Sequence, residues 1–183
     1  NMPTGFYIQK ITTGDKTQVT YDYNNYKSMT FTNTHTSKIN MTLYLTSQLG
    51  SDITDTDTNV NLSAGYSITT DSQAIVVDNG GTAGTADMFL NEKVYLSTGL
   101  EVGVVTTFGS ATSLTFAGGL TNSLANNDSL FTGSRYEMLK AVEIPAGTAF
   151  KLRPEDFEFD TDAYKMYINS GNASGLINIM TRY

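Results

Sequence analysis

Two stretches of this chain alternate apolar and polar side chains with a period of two. Met29 and Phe31 stand against Ser28, Thr30 and Thr32, and Met41, Leu43 and Leu45 stand against Thr42, Tyr44 and Thr46. A strand points successive side chains to opposite faces, so each stretch reads as a strand with one buried and one wet face. Composition points the same way. The 183 residues include 28 Thr, 15 Ser, 15 Asn and 16 Gly, while charged residues are only 16%. Thr is enriched in strands, and Ser, Asn and Gly are poor helix formers. The expected class is all-β and antiparallel.

The same pattern organises the rest of the chain. Phe6–Ile11 and Thr17–Tyr21 precede the alternating pair, and residues 136–144, 149–152, 157–159, 164–169 and 176–182 supply further strands toward the end. Residues 1–50 and 134–183 therefore predict a β-sandwich, jelly-roll-like or immunoglobulin-like. Residues 51–133 predict an inserted β-rich module, bounded by polar, Gly-bearing segments that suit insertion at a loop tip. Within it, 50–65 reads as an acidic surface loop. Short strands at 74–77, 93–96, 102–108, 114–116 and 130–131, punctuated by Gly turns, predict a small barrel. One helical turn is expected over Ala86–Asn91.

Charge and residue counts exclude several functions. A net charge of −7 and a pI near 4.5 disfavour binding to a phosphate backbone, which needs clustered Lys and Arg. Zero cysteines leave no disulfide, thiolate metal site or Cys nucleophile, and a single histidine leaves little acid–base chemistry near neutrality. No apolar run approaches the roughly 20 residues that span a bilayer, and the first residues lack a signal-peptide pattern. The expectation is no enzyme, no cofactor, no metal, no nucleic acid and no membrane.

Candidate chemistry is sparse. Asp52, Asp55 and Asp57 alternate like the opening of a calcium loop, but an EF-hand needs Gly and Glu where Val60 and Tyr66 stand, so a solvated loop is the favoured reading. Five carboxylates crowd Glu155–Asp162. Alternation turns Phe157 and Phe159 inward and leaves the acids in water, so a glycosidase pair is disfavoured. His35 lies in an expected loop with no G-x-S-x-G motif in the chain, which reads as a surface histidine. Four N-x-[ST] sequons are what this composition supplies by chance. Aromatics gather at Phe6, Tyr7, Tyr21, Tyr23 and Tyr26. With Ile8 they form the candidate interface, because aromatics bury large area while keeping a polar tip; packing into the sandwich core is the competing reading.

Two motif stretches resemble a β-sandwich family. They are Met29–Leu45, containing Phe31-Thr32-Asn33-Thr34 and Leu43-Tyr44-Leu45, and Tyr136–Leu152, containing Ile144-Pro145-Ala146-Gly147. Both are similar to virion structural proteins of tailed bacteriophages, especially marine and cyanobacterial phages. Val94–Val105, Ser113–Phe116 and Asn126–Leu130 resemble a small barrel module that recurs in such proteins. The resemblance implies a capsid decoration (cement) protein on the outer surface of the phage particle. It also implies contact with the major capsid protein or other virion proteins, and a homo-oligomer with a trimer favoured. A neck or tail accessory and a carbohydrate-binding adhesin are the alternatives. The Phe6–Ile11 segment is expected to add a strand to a neighbour's sheet.

Overall fold

The computed structural model describes residues 5–19, 26–55, 62–77, 88–156 and 159–183. The strands are β1 (Phe6–Ile11), β2 (Thr17–Gln18), β3 (Ser28–Asn33), β4 (Ile39–Ser47), β5 (Ile53–Asp55), β6 (Gln73–Val76), β7 (Lys93–Tyr95) and β8 (Glu101–Val104). They continue as β9 (Thr107–Ser110), β10 (Ser113–Phe116), β11 (Phe131–Gly133), β12 (Arg135–Ile144), β13 (Ala149–Leu152), β14 (Tyr164–Asn169) and β15 (Ile177–Arg182). The described residues contain no helix. The chain is all-β.

It divides into two compact units, Asn1–Thr46 with Tyr136–Tyr183, and Ser47–Arg135. The sequence placed these divisions at 50/51 and 133/134.

The first unit holds two four-stranded sheets, β1-β15-β3-β13 and β12-β4-β14-β2. The pairing is nested. The first strand of the unit pairs with its last (β1 with β15), β2 with β14, β3 with β13, and β4 with β12. A single long antiparallel ribbon, folded over on itself, pairs its strands in this way. Rolling the ribbon adds the β15–β3 and β4–β14 contacts and places alternate ribbon segments in opposite sheets. This is the strand order of a jelly roll. One core lies between the sheets: Ile11, Met29, Phe31, Leu152, Ile177 and Ile179 from one, Ile39, Met41, Leu43, Ile144, Met166 and Ile168 from the other. Burying each such side chain is worth about 1.5–3 kcal/mol, so the apolar parity of the strands sets which face turns inward.

Asn33 joins the two motif stretches. It is fully buried at the end of β3. Its Nδ2 donates to the Ser37 carbonyl at 2.8 Å and to the Ile144 carbonyl at 2.9 Å, and its Oδ1 accepts from the His35 amide at 2.8 Å. Its backbone donates to the Thr148 carbonyl at 2.9 Å and accepts from the Gly147 amide at 3.1 Å. Gly147 sits at φ 68°, a left-handed conformation that glycine adopts without strain. One side chain thus ties the β3–β4 loop to the Pro145–Gly147 turn, with every polar group satisfied.

The second unit also holds two sheets, β5-β11-β7-β8 and β6-β10-β9. Val94 and Val102 from the first and Ile75, Leu114 and Phe116 from the second share one core with Leu62, Leu120 and Leu130. Among the described residues no strand ladder closes these sheets into the expected barrel. In the sequence, the unit is inserted between β4 and β12. Its entering and leaving segments are held side by side, with the Ser47 amide donating to the Ser134 carbonyl at 2.9 Å and the Ser134 amide to the Asp52 carbonyl at 3.0 Å. Gly133 presses against the Ser47 carbonyl, where a Cβ would collide.

Several expectations are corrected here. The presumed acidic loop contains β5, which pairs with β11 from Asp55↔Phe131 to Ile53↔Gly133. The run 102–108 is not one strand: Val105 donates to the Glu92 carbonyl and Thr106 to the Thr115 carbonyl, so the chain passes from one sheet to the other between β8 and β9. Over Ala86–Asn91, residues 86–87 lie outside the described residues and the rest is non-helical, leading into the Phe89–Glu92 turn. Asn91 adopts φ 66°, which a right-handed helix does not allow. In 157–159, Phe159 belongs to no strand, and 157–158 lie outside the described residues.

Two outcomes follow. Ser47–Arg135 expressed alone is expected to fold, with dispersed amide NMR signals and a cooperative melt; a collapsed spectrum would show that its core depends on the rest of the chain. Asn33→Ala leaves the Ser37 and Ile144 carbonyls without their buried donor, and is expected to cost about 2–4 kcal/mol by denaturant unfolding.

Candidate contact surface

β1 carries the clearest candidate surface. Its parity puts Phe6, Ile8 and Lys10 on one face and Tyr7, Gln9 and Ile11 on the other. Ile11 enters the core at 3% exposure, so the Ile8 face is the outer one, and Ile8 is 46% exposed. Register extends that face across the sheet. Ile8 is level with Met180, Thr30 and Lys151, and Lys10 with Asn178, Thr32 and Ala149. Phe6 is level with Arg182 and Ser28.

The electrostatics of this face differ from those of the chain. Lys10, Lys151 and Arg182 are exposed, and none has an ion pair among the described residues. Elsewhere Lys38, Lys93, Arg135, Lys140 and Arg153 each meet a carboxylate, while Lys27 and Lys165 likewise have no ion pair among the described residues. No acidic residue occupies the outward positions of the four strands. On a chain of net charge −7, this is a cationic, acid-free sheet face with an apolar patch at Phe6, Ile8 and Met180.

The six candidate interface residues separate accordingly. Phe6 and Ile8 share the outer face, and Tyr7 is half-buried on the opposite one. Tyr26 is a correction: it is buried at 6% exposure within the sandwich core, which is where its aromatic area goes. Tyr21 and Tyr23 lie outside the described residues. The segment Phe6–Ile11 is an edge strand of its own sheet, paired along its whole length with β15. Its core residue Ile11 makes it part of the sandwich, so a neighbour's strand would add along its other, outer edge. The cations Lys10, Lys151 and Arg182 went unnoticed in the sequence. Their parity was readable, but the adjacency of β1, β15 and β13 was not.

The other candidates are used locally. His35 Nδ1 accepts from the Ser37 amide at 2.9 Å and lies 2.6 Å from Ser37 Oγ, which closes a short loop; among the described residues no carboxylate joins them. Asp156 accepts from the Arg153 amide and Asp160 from the Asp162 amide, both at 2.9 Å, and Glu155 pairs with Arg153 at 3.7 Å. These acids fix their own turns. Among the described residues no three acids or histidines cluster as a metal site. Asp57 and the Asp55 side chain lie outside them. A cleft of about 370 Å³ is lined by Met138, Leu139, Phe150 and Leu152, with Lys151 and Asp156 also on its wall.

The second unit holds one buried charge cluster. Glu92 is fully buried and takes a bidentate bond from Arg135, with Nη2 at 2.8 and 3.1 Å from its two oxygens. The Phe89 amide donates to Oε2 at 2.9 Å, and the Arg135 guanidinium stacks 3.9 Å over the Phe89 ring. This pins the Phe89–Glu92 turn. Nearby, Tyr95 donates to the Gln48 carbonyl at 2.9 Å. Burial, and then the Glu101 and Glu92 carboxylates, push its phenol up to about 12.

The chain matches no protein-family model, no curated protein and no solved structure.

The Tyr95 phenol gives a pH test. Its proton is held more tightly folded than unfolded, so its contribution is complete below pH 10 and is lost as pH rises toward 12, on the order of 2 kcal/mol. Tyr95→Phe is expected to weaken neutral stability slightly by losing the Gln48 bond, and to flatten the alkaline limb of the pH–stability curve.

Proposed function

We propose that this chain is a non-enzymatic virion structural protein, a capsid decoration protein that binds the outer surface of a tailed-phage head. The observation that carries the reading is the cationic, acid-free outer face of the β1-β15-β3-β13 sheet, with exposed Ile8, on an otherwise acidic chain. A surface with that contrast suits contact with another protein. Two further points support it. The strand order is one that viral capsid domains share with lectins and cupins, which is a fold-level analogy. The two stretches that carry the resemblance to phage virion proteins meet through Asn33.

A decoration protein works by mass action: it binds the assembled lattice and has little affinity for loose subunits, so occupancy adds to shell stability. An acidic pI supports a position outside the shell, away from packaged DNA that would repel it. Attachment at sites of three-fold symmetry suits a trimer.

The test is immunogold electron microscopy with an antibody to the purified chain, on tailed particles from the source organism's lysates. Gold on head surfaces is the expected result. Gold confined to necks or tails would replace decoration by an accessory role, and unlabelled particles would overturn the virion reading.

A further inference from the structure

We infer that the outer face of the β1-β15-β3-β13 sheet docks an acidic protein surface, with Ile8 and Met180 forming an apolar patch on its β1–β15 side and Lys10, Arg182 and Lys151 flanking that patch. This rests on the contact role proposed above and names the chemistry of the partner. Charge complementarity selects the occupant. The outward positions of four strands hold three cations and no acid, although the chain has 18 acidic residues against 11 basic ones. Exposed pairs add little affinity one at a time, but a field of one sign steers an acidic partner in and rejects a basic one. An apolar patch beside exposed polar and charged groups is a common composition of a protein contact.

Size sets the strength. Strands about 4.8 Å apart and residues about 3.3 Å apart make this face about 19 by 20 Å, or about 400 Å². A stable interface buries about 800 Å² on each partner. A single copy therefore binds weakly and with strong salt dependence. Firm attachment comes from linked copies facing a repeating partner, where the second contact is made at high effective concentration. Nucleic acid is the poorer occupant, because a long polyanion meets the repulsion of the whole chain and three cations release few counterions.

The full chain, ¹⁵N-labelled, would be titrated with a short oligoglutamate peptide at low salt and followed by amide NMR. The expected result is saturable shifts in residues 6–11, 28–33 and 177–182, reduced at least tenfold in affinity by the triple change Lys10→Glu, Lys151→Glu and Arg182→Glu. Lys93→Glu, in the other unit, should leave the binding intact, and the melting curve of the triple variant shows whether it has folded. Three results would overturn the inference: no shifts on this face, equal binding of a single-stranded oligonucleotide of matched charge, or self-association that the triple variant abolishes, which would make a second copy the occupant. Head labelling that the triple variant retains in a reattachment assay would sink this inference and leave the decoration role standing.

Discussion

The ladder around β15 is the constraint on which the sandwich depends. The last strand pairs with β1 on one edge from Ile11↔Ile177 to Phe6↔Arg182, and with β3 on the other from Ile177↔Asn33 to Arg182↔Ser28. Without β15 the first sheet has no continuity, because β1 and β3 do not pair with each other in it. The pairing also fixes parity: Ile177, Ile179 and Thr181 face inward, so Met180 and Arg182 are forced out beside Ile8 and Phe6. A one-residue slip would bury Arg182 and expose the isoleucines, which the core does not permit. The contact surface is thus a by-product of the register that builds the core.

Nested pairing has a kinetic consequence. Each rung joins residues distant in sequence, and the outermost rung joins the two ends of the unit. Loop closure for such contacts is costly before they are rewarded. The tip of the ribbon is where that cost concentrates, since β4 and β12 must meet across the whole of Ser47–Arg135. Bonds such as Ser47 to Ser134 bring the two ends of the inserted unit together, so its own folding shortens the effective loop that the sandwich must close. Gly133, which no larger residue could replace beside Ser47, belongs to the same economy.

Polar groups buried in each unit do a comparable job. Asn33 has all its donors and acceptors met by backbone from two distant turns, and Glu92 is met by Arg135 and the Phe89 amide. A buried group of this kind adds modest net stability when satisfied and a large penalty when any partner is lost. Each therefore specifies one arrangement of its turns against others that the apolar core alone would tolerate.

The strands with clear alternation, β3 and β4, were legible in the sequence because period two and apolar content agree there. So were the all-β class and the antiparallel turns. What was illegible depended on neighbours. Val105 and Thr106 continue an apolar, strand-like run with no turn residue at the break itself, and only their bonds to Glu92 and Thr115 send the chain into a second sheet. Tyr26 could have faced either way until the core claimed it. Lys10, Lys151 and Arg182 are ordinary surface cations on three strands, two of them at opposite ends of the chain. The sequence by itself determined the strand content and which side chains share a strand face, because both follow from local stereochemistry and hydropathy. Only the tertiary structure decided which strands lie side by side, and hence that these cations share one acid-free face, because strand order is set by long-range pairing that no local pattern encodes.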